Sequence, residues 1–178
     1  WMTAQGARGL YCTLPHSPSP IDNYRSAHSE AMYDTRWRLQ IAAYLDDLPP
    51  GGGGLTLWPG SHSRIWDYWE AIHRDAPPPR RAANAPEWDG YTAPPLRAIK
   101  ADTHPVETHG AVGSVVLWHA SLLHMAGQNQ LGDVIRQATI YAFAKTSESV
   151  PDNVVRRDPC GDLWRDWSEE LRLVDGSK

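Results

Sequence analysis

A single phenylalanine, two cysteines and a small charge imbalance are what this 178-residue chain has least of. No stretch approaches the roughly eighteen consecutive apolar residues that a membrane helix needs, so a helical membrane anchor is not expected. Cys12 and Cys160 lie far apart in sequence and make no disulfide framework, which points to a reducing compartment and a cytoplasmic location. The formal net charge of −4 offers no electrostatic draw toward nucleic acid or an anionic membrane, and neither is expected as a partner. No secretory leader pattern opens the chain, and its closing Asp175-Gly176-Ser177-Lys178 is not a peroxisomal address. The first residue is Trp1 rather than Met, which fits a sequence that lacks upstream residues.

What is abundant is punctuation: 15 Pro and 14 Gly, with 9 Trp to fill a core. Short apolar runs between such breakers indicate strands and loops rather than a helical bundle, and the length suits one domain over residues 1–178. Strands are expected at Ala7–Leu14, at Trp37–Leu45 (buried on both faces), at Leu55–Trp58, at an edge over Pro105–His109, at a buried Ser114–Trp118, and at Ile135–Ala144. The segment 46–54, with two prolines and four glycines, reads as a turn. A helix is expected over Arg64–Arg74 with Ser63 as its cap, and a second over 158–174, capped by Asp158 and packed outside the sheet. Residues 75–102 show no period, and a connection that long suggests a substrate lid. This pattern fits an all-β sandwich or barrel with peripheral helices.

Eight histidines are present, and a lone histidine is more often structural than catalytic. Grouping with a carboxylate sets some apart. His28-Ser29-Glu30 puts an imidazole and an acid two residues apart, on one face if the segment is extended. His124, far along the chain, supplies a third candidate, and two imidazoles with one carboxylate can occupy one face of a metal's octahedron. Asp34 is a fallback for the acid. Arg136, twelve residues after His124, leads into an apolar strand, and its guanidinium can take a carboxylate in a two-pronged grip. Residues 125–133 read as a turn placing His124 and Arg136 on neighbouring antiparallel strands. His62 reads as structural, His119 as a residue orienting a ligand or packing, and the tryptophans as core.

The ordered pieces Tyr44–His62 (YLDDLPPGGGGLTLWPGSH), Gly113–Asn129 (GSVVLWHASLLHMAGQN) and Ile135-Arg136-Gln137-Ala138 resemble the phytanoyl-CoA dioxygenase family, a branch of the iron(II)/2-oxoglutarate oxygenases. The resemblance runs from about Arg8 to Thr146. It implies a double-stranded β-helix, a jelly roll of cupin-like form. It further implies His28, Glu30 and His124 as ligands of Fe(II), Arg136 as the anchor of 2-oxoglutarate, and a small-molecule substrate oxidised by molecular oxygen with release of succinate and CO₂. Glu30 stands where the family usually has Asp. Gln40, Tyr11 and Thr13 are further candidates for the cosubstrate pocket. Two other readings stay open: a halogenase-like member using chloride, and a β-helix binding protein without catalysis or with another metal.

Overall fold

Two antiparallel sheets frame the computed structural model, which describes residues 2–15, 24, 26–29, 37–75, 94–145 and 168–175. The first sheet has four strands in the order β1 (Met2–Thr13), β7 (Arg136–Lys145), β2 (Trp37–Tyr44) and β5 (Val115–His119). The second has three, in the order β4 (Val106–Glu107), β3 (Leu55–Leu57) and β6 (His124–Ala126). Along the chain, β2 lies in the first sheet, β3 and β4 in the second, β5 in the first, β6 in the second and β7 in the first again. That repeated crossing is the winding of a double-stranded β-helix, as expected.

Side chains alternate about each strand, and the inner face is the one that is buried. On β2, Gln40, Ala42 and Tyr44 are buried while Ile41 and Ala43 are only partly so. The expectation that this strand is buried on both faces is therefore corrected. On β5, Trp118 is buried but Val115 and Leu117 are 50% and 61% exposed, because β5 is an edge strand with an outer face open among the described residues. Between the sheets, Ala42 and Trp118 from the first meet Leu55 from the second, with Leu57, Val116 and Ile140 alongside. A second cluster joins Trp58, Leu123 and Met125 to two helices, α1 (Ser61–Asp75) and α2 (Pro94–Asp102), through Ile65, Leu96 and Ile99.

The helices differ from expectation in instructive ways. α1 begins two residues before Ser63, because the Pro59-Gly60 turn (Gly60 φ 73°) delivers the chain directly into Ser61. Ser61 Oγ then accepts from Leu123 N at 2.8 Å, tying the helix start to the loop before β6. α2 occupies the last nine residues of the stretch read as periodless, and its Leu96 and Ile99 are in the core, so residues 94–102 are a packed helix rather than a periodless connection. Residues 76–93 of that candidate lid lie outside the described residues. α3 (Glu169–Asp175) is the described part of the expected C-terminal helix, with residues 158–167 outside the description. Ser168 Oγ accepts from Leu171 N at its start, and Leu173 and Val174 are exposed rather than packed on a sheet.

The glycine-rich turn after β2 is held by one acid. Glu107 Oε1 accepts from the backbone N–H of Gly53 and Gly54, and Oε2 from that of Gly51, all within 3.0 Å. Gly54 has no room for a side chain: an added Cβ would sit 1.8 Å from Thr108 O. Tyr44 crosses between the sheets, its hydroxyl accepting from Leu55 N at 2.9 Å and meeting Thr108 Oγ1 at 2.6 Å.

Candidate active site

A strained turn brings the first histidine to the sheet. Tyr24 takes φ 58°, a left-handed conformation that costs an aromatic residue free energy. The turn is closed by Ala27 N donating to Tyr24 O at 3.0 Å, and the Tyr24 ring packs edge-on against Trp58 at 5.1 Å. His28 is thereby aligned with His124 at the start of β6. Their backbones exchange both hydrogen bonds, at 2.9 and 3.0 Å, as an isolated antiparallel bridge. Residues paired this way project their side chains to the same side. The two imidazole centres are 4.5 Å apart with planes at 49°.

Each ring has the same nitrogen engaged. His28 Nδ1 lies 2.9 Å from Ser26 O, and His124 Nδ1 lies 2.8 Å from Leu122 O. A carbonyl can only accept, so Nδ1 carries a hydrogen in both rings, and in the neutral imidazole the lone pair is then on Nε2. That tautomer is the one a metal needs from a ligating histidine, and backbone carbonyls commonly enforce it. Two imidazoles at right angles on one ion, each bound at ~2.1 Å, hold their centres roughly 4.5 Å apart. The histidine pair therefore fits a shared divalent metal.

The acid of the expected triad, Glu30, lies outside the described residues, as does its fallback Asp34. Among the described residues no three of His, Cys, Asp and Glu gather into a metal-sized group. Between His28 and Glu30, Ser29 is buried and donates through Oγ to Ser121 O at 2.9 Å, fixing the segment beside the loop that leads to His124.

Arg136 opens β7 and is only 5% exposed. Its Nη2 donates to Thr13 Oγ1 at 2.5 Å, while its Nε has no acceptor among the described residues. Burial lowers its pKa from the ordinary arginine value, with Tyr44 and Cys12 nearby acting in the opposite sense. Among the described residues no acid bonds this buried guanidinium, and a buried cation in that state is chemically suited to an incoming anion. Thr13 is thus in contact with Arg136, whereas Tyr11, on the same edge strand, is 40% exposed. Gln40 lies further along the inner face, buried between Ala142 of β7 and Trp118 of β5.

One expectation about this region is overturned. His124 and Arg136 are not on neighbouring strands of one sheet, since β6 pairs with β3 and β7 pairs with β1 and β2. The connection between them crosses from one sheet to the other, and Asn129 organises it. Buried Asn129 donates through Nδ2 to Thr13 O and Val134 O and accepts from Leu131 N at 3.1 Å. Asn129 was visible in the sequence only as a turn residue; the ability of Asn to bond backbone two residues on was the available signal. His119 is buried, its Nδ1 accepting from Ser121 N at 3.0 Å, and its ring lies 5.9 Å from that of His62 at the head of α1. His119 thereby braces the turn before His124. Trp118, read as packing, also lies with its ring 5.3 Å from that of His124.

A family model described as Phytanoyl-CoA dioxygenase (PhyH) matches residues 22–138. Among solved structures, the chain is similar to AviO1 from Streptomyces viridochromogenes Tue57, at 19% identity and a TM-score of 0.51 over 86% of this chain and 54% of that one. It is similar also to EvdMO1, at 17% identity and a TM-score of 0.51 over 82% of this chain and 28% of that one. A third is the non-heme alpha ketoglutarate dependent carbocyclase SnoK from nogalamycin biosynthesis, at 16% identity and a TM-score of 0.53 over 91% of this chain and 60% of that one. At such identities the likeness is one of fold. The chain spans 54%, 28% and 60% of the length of these three. No curated protein matches it.

Proposed function

The chain belongs to the phytanoyl-CoA dioxygenase family, and from that premise we propose that it is a non-haem iron(II) and 2-oxoglutarate-dependent dioxygenase that hydroxylates a small molecule. The observation carrying this reading is the His28–His124 pair, 4.5 Å apart with each Nδ1 held by a backbone carbonyl. His28, His124 and Glu30 would hold the metal, and Arg136 would hold the far carboxylate of 2-oxoglutarate. Bound there, iron supplies the coupling of O₂ and 2-oxoglutarate breakdown, to succinate and CO₂, with oxidation of a substrate C–H bond.

The chain's own residues supply orientation and a dry setting. The carbonyls of Ser26 and Leu122 hold Nδ1 of both imidazoles, which would leave Nε2 of each to the metal. Arg136 remains cationic at neutral pH despite burial, and Thr13 Oγ1 fixes its angle, leaving Nε for an incoming oxygen. Buried Trp118, Leu55 and Ala42 exclude water from the space between the sheets, which strengthens each polar contact made inside. Two thiols without a framework suit a reducing, cytoplasmic setting, and no helix among the described residues is long and apolar enough to cross a membrane.

Anaerobic titration with Fe(II) and then 2-oxoglutarate tests the proposal. A weak visible charge-transfer band should grow to one equivalent, and admission of O₂ should release succinate. Absence of the band with metal bound would refute it.

A further inference from the structure

Two buried hydrogen-bond donors beside His124 have no role in the scheme above. Gln40 and Trp118 are register partners across β2 and β5, so their side chains share the inner face of the first sheet. They are 1% and 3% exposed. Gln40 Nε2 and Trp118 Nε1 both lack an acceptor among the described residues. A buried donor left unpaired costs about 1–3 kcal/mol, and two side by side are retained where something outside the fold answers them. Their flanking residues on the same face, Ala42 and Ala142, are small. The Trp118 ring lies 5.3 Å from that of His124, so the donors are close to the histidine pair.

The strand register separates these donors from Arg136. Gln40 pairs with Ala142, six residues beyond Arg136 on β7, which is about 20 Å of extended chain. Arg136 therefore cannot answer these donors itself, and what they meet is whatever lies beside the histidines, the metal-facing end of the cosubstrate or the substrate. Chemistry narrows the choice. Both donors are neutral, and with the metal's charge already met by an acid and a dicarboxylate, a further carboxylate would be desolvated here uncompensated. A hydroxyl would bring a hydrogen needing its own acceptor. A carbonyl oxygen has two lone pairs, brings no donor and carries no charge.

We propose that Gln40 and Trp118 form a two-donor subsite for a neutral carbonyl oxygen of the substrate, an amide, ester or ketone, and place the neighbouring carbon beside the metal. This rests on the oxygenase reading and moves Gln40 from the cosubstrate to the substrate. The test uses the full chain loaded with 2-oxoglutarate and Zn(II) in place of Fe(II), ¹⁵N-labelled, with butyramide as probe and butanol and butyrate as controls. The Trp118 indole signal, assigned by its loss in Trp118→Phe, should move downfield with butyramide and not with the controls. Gln40→Met should weaken that binding at least tenfold. In the Fe(II) form, Gln40→Met and Trp118→Phe should leave the 2-oxoglutarate affinity within twofold of the parent, and Gln40→Met should not lower the melting temperature, since it removes an unanswered donor at nearly constant volume.

No movement with butyramide, equal binding by Gln40→Met, or a stronger response to butyrate would overturn the subsite. A tenfold loss of 2-oxoglutarate affinity would assign the donors to the cosubstrate instead, and a fall in the melting temperature of Gln40→Met would make the Gln40 donor structural. Loss of the visible band in the unmodified protein would refute the oxygenase reading itself, which the probe titration does not depend on.

Discussion

Arg136 brings a full charge into the interior with Thr13 as its hydrogen-bond partner among the described residues, and its depressed pKa records that the charged form is worse off there than in water. A residue in that state works against the ligand-free fold. Arg136→Leu is therefore expected to leave the melting temperature of the ligand-free protein unchanged or raise it, while weakening 2-oxoglutarate binding by 30-fold or more, as the loss of about 2–5 kcal/mol from a buried charge pair implies. Calorimetry with the cosubstrate and a thermal melt without it read the two effects separately. Loss of melting temperature together with full 2-oxoglutarate affinity would show Arg136 to be structural. His28→Ala and His124→Ala address the other end of the site: each should reduce bound Fe(II) by at least a hundredfold in affinity, read by dialysis against a colorimetric chelator. At this scale the sequence was readable where chemistry restricts residue type. His28, His124 and Arg136 stood out by identity and order, whereas Thr13 was only one of several candidates for the pocket lining. Trp118 did not stand out, because a tryptophan in an apolar run looks the same whether its N–H is answered or not.

Among the elements, the turn after β2 shows how little of a fold depends on the strands alone. Glu107, at the end of a two-residue edge strand, gathers three amide hydrogens from Gly51, Gly53 and Gly54 and so sets where β3 begins. Glu107→Gln exchanges one accepting oxygen for a donor that faces N–H groups, and a loss of about 1.5–3 kcal/mol in denaturant unfolding is expected. Gly54→Ala should cost more, since its methyl would overlap Thr108 O. The link between α1 and α2 behaves oppositely. Arg64 grips Asp102 with both terminal nitrogens, at 2.6 and 2.8 Å, and the hydrogen bonds from Arg64 and Thr103 pull the Asp102 pKa from 3.8 down to about 2. A lowered acid stabilises the fold above its unfolded value, so this contribution is complete above pH 3.8 and is lost as pH falls toward 2. Because the pair is exposed, Asp102→Asn should barely alter the melt at pH 7 and should flatten only the acid limb. Strand positions were legible from apolar runs and Pro-Gly breakers. The helix over 94–102 was not, since its Pro94-Pro95 start and short length hide a period that only Leu96 and Ile99 carry, and the partner of β6 was not, because a turn-like sequence does not say which sheet the next strand joins.

For the molecule as a whole, the site is a meeting of parts that are remote in sequence. His28 is joined to β6 by two backbone hydrogen bonds, Ser29 to the 121 carbonyl, and the start of α1 to Leu123. Arg136 is oriented from β1 and from the Asn129 turn. The unfolded chain presents none of this together, so any ligand of the assembled site stabilises the fold by mass action. Metal at a hundred times its dissociation constant should add about 2.7 kcal/mol, and at about 2–4 °C per kcal/mol for a chain of this size the melt should rise by roughly 5–10 °C. 2-Oxoglutarate should add a second increment of similar size only once metal is present, because in the proposed site its far carboxylate alone would meet Arg136 while its other end would depend on the histidines. The two increments are separable by variant. Arg136→Leu should keep the metal increment and lose that of 2-oxoglutarate, whereas His124→Ala should lose both. A 2-oxoglutarate increment of full size in His124→Ala would place its binding site elsewhere on the molecule and break the connection between the guanidinium and the imidazoles on which the proposed chemistry depends.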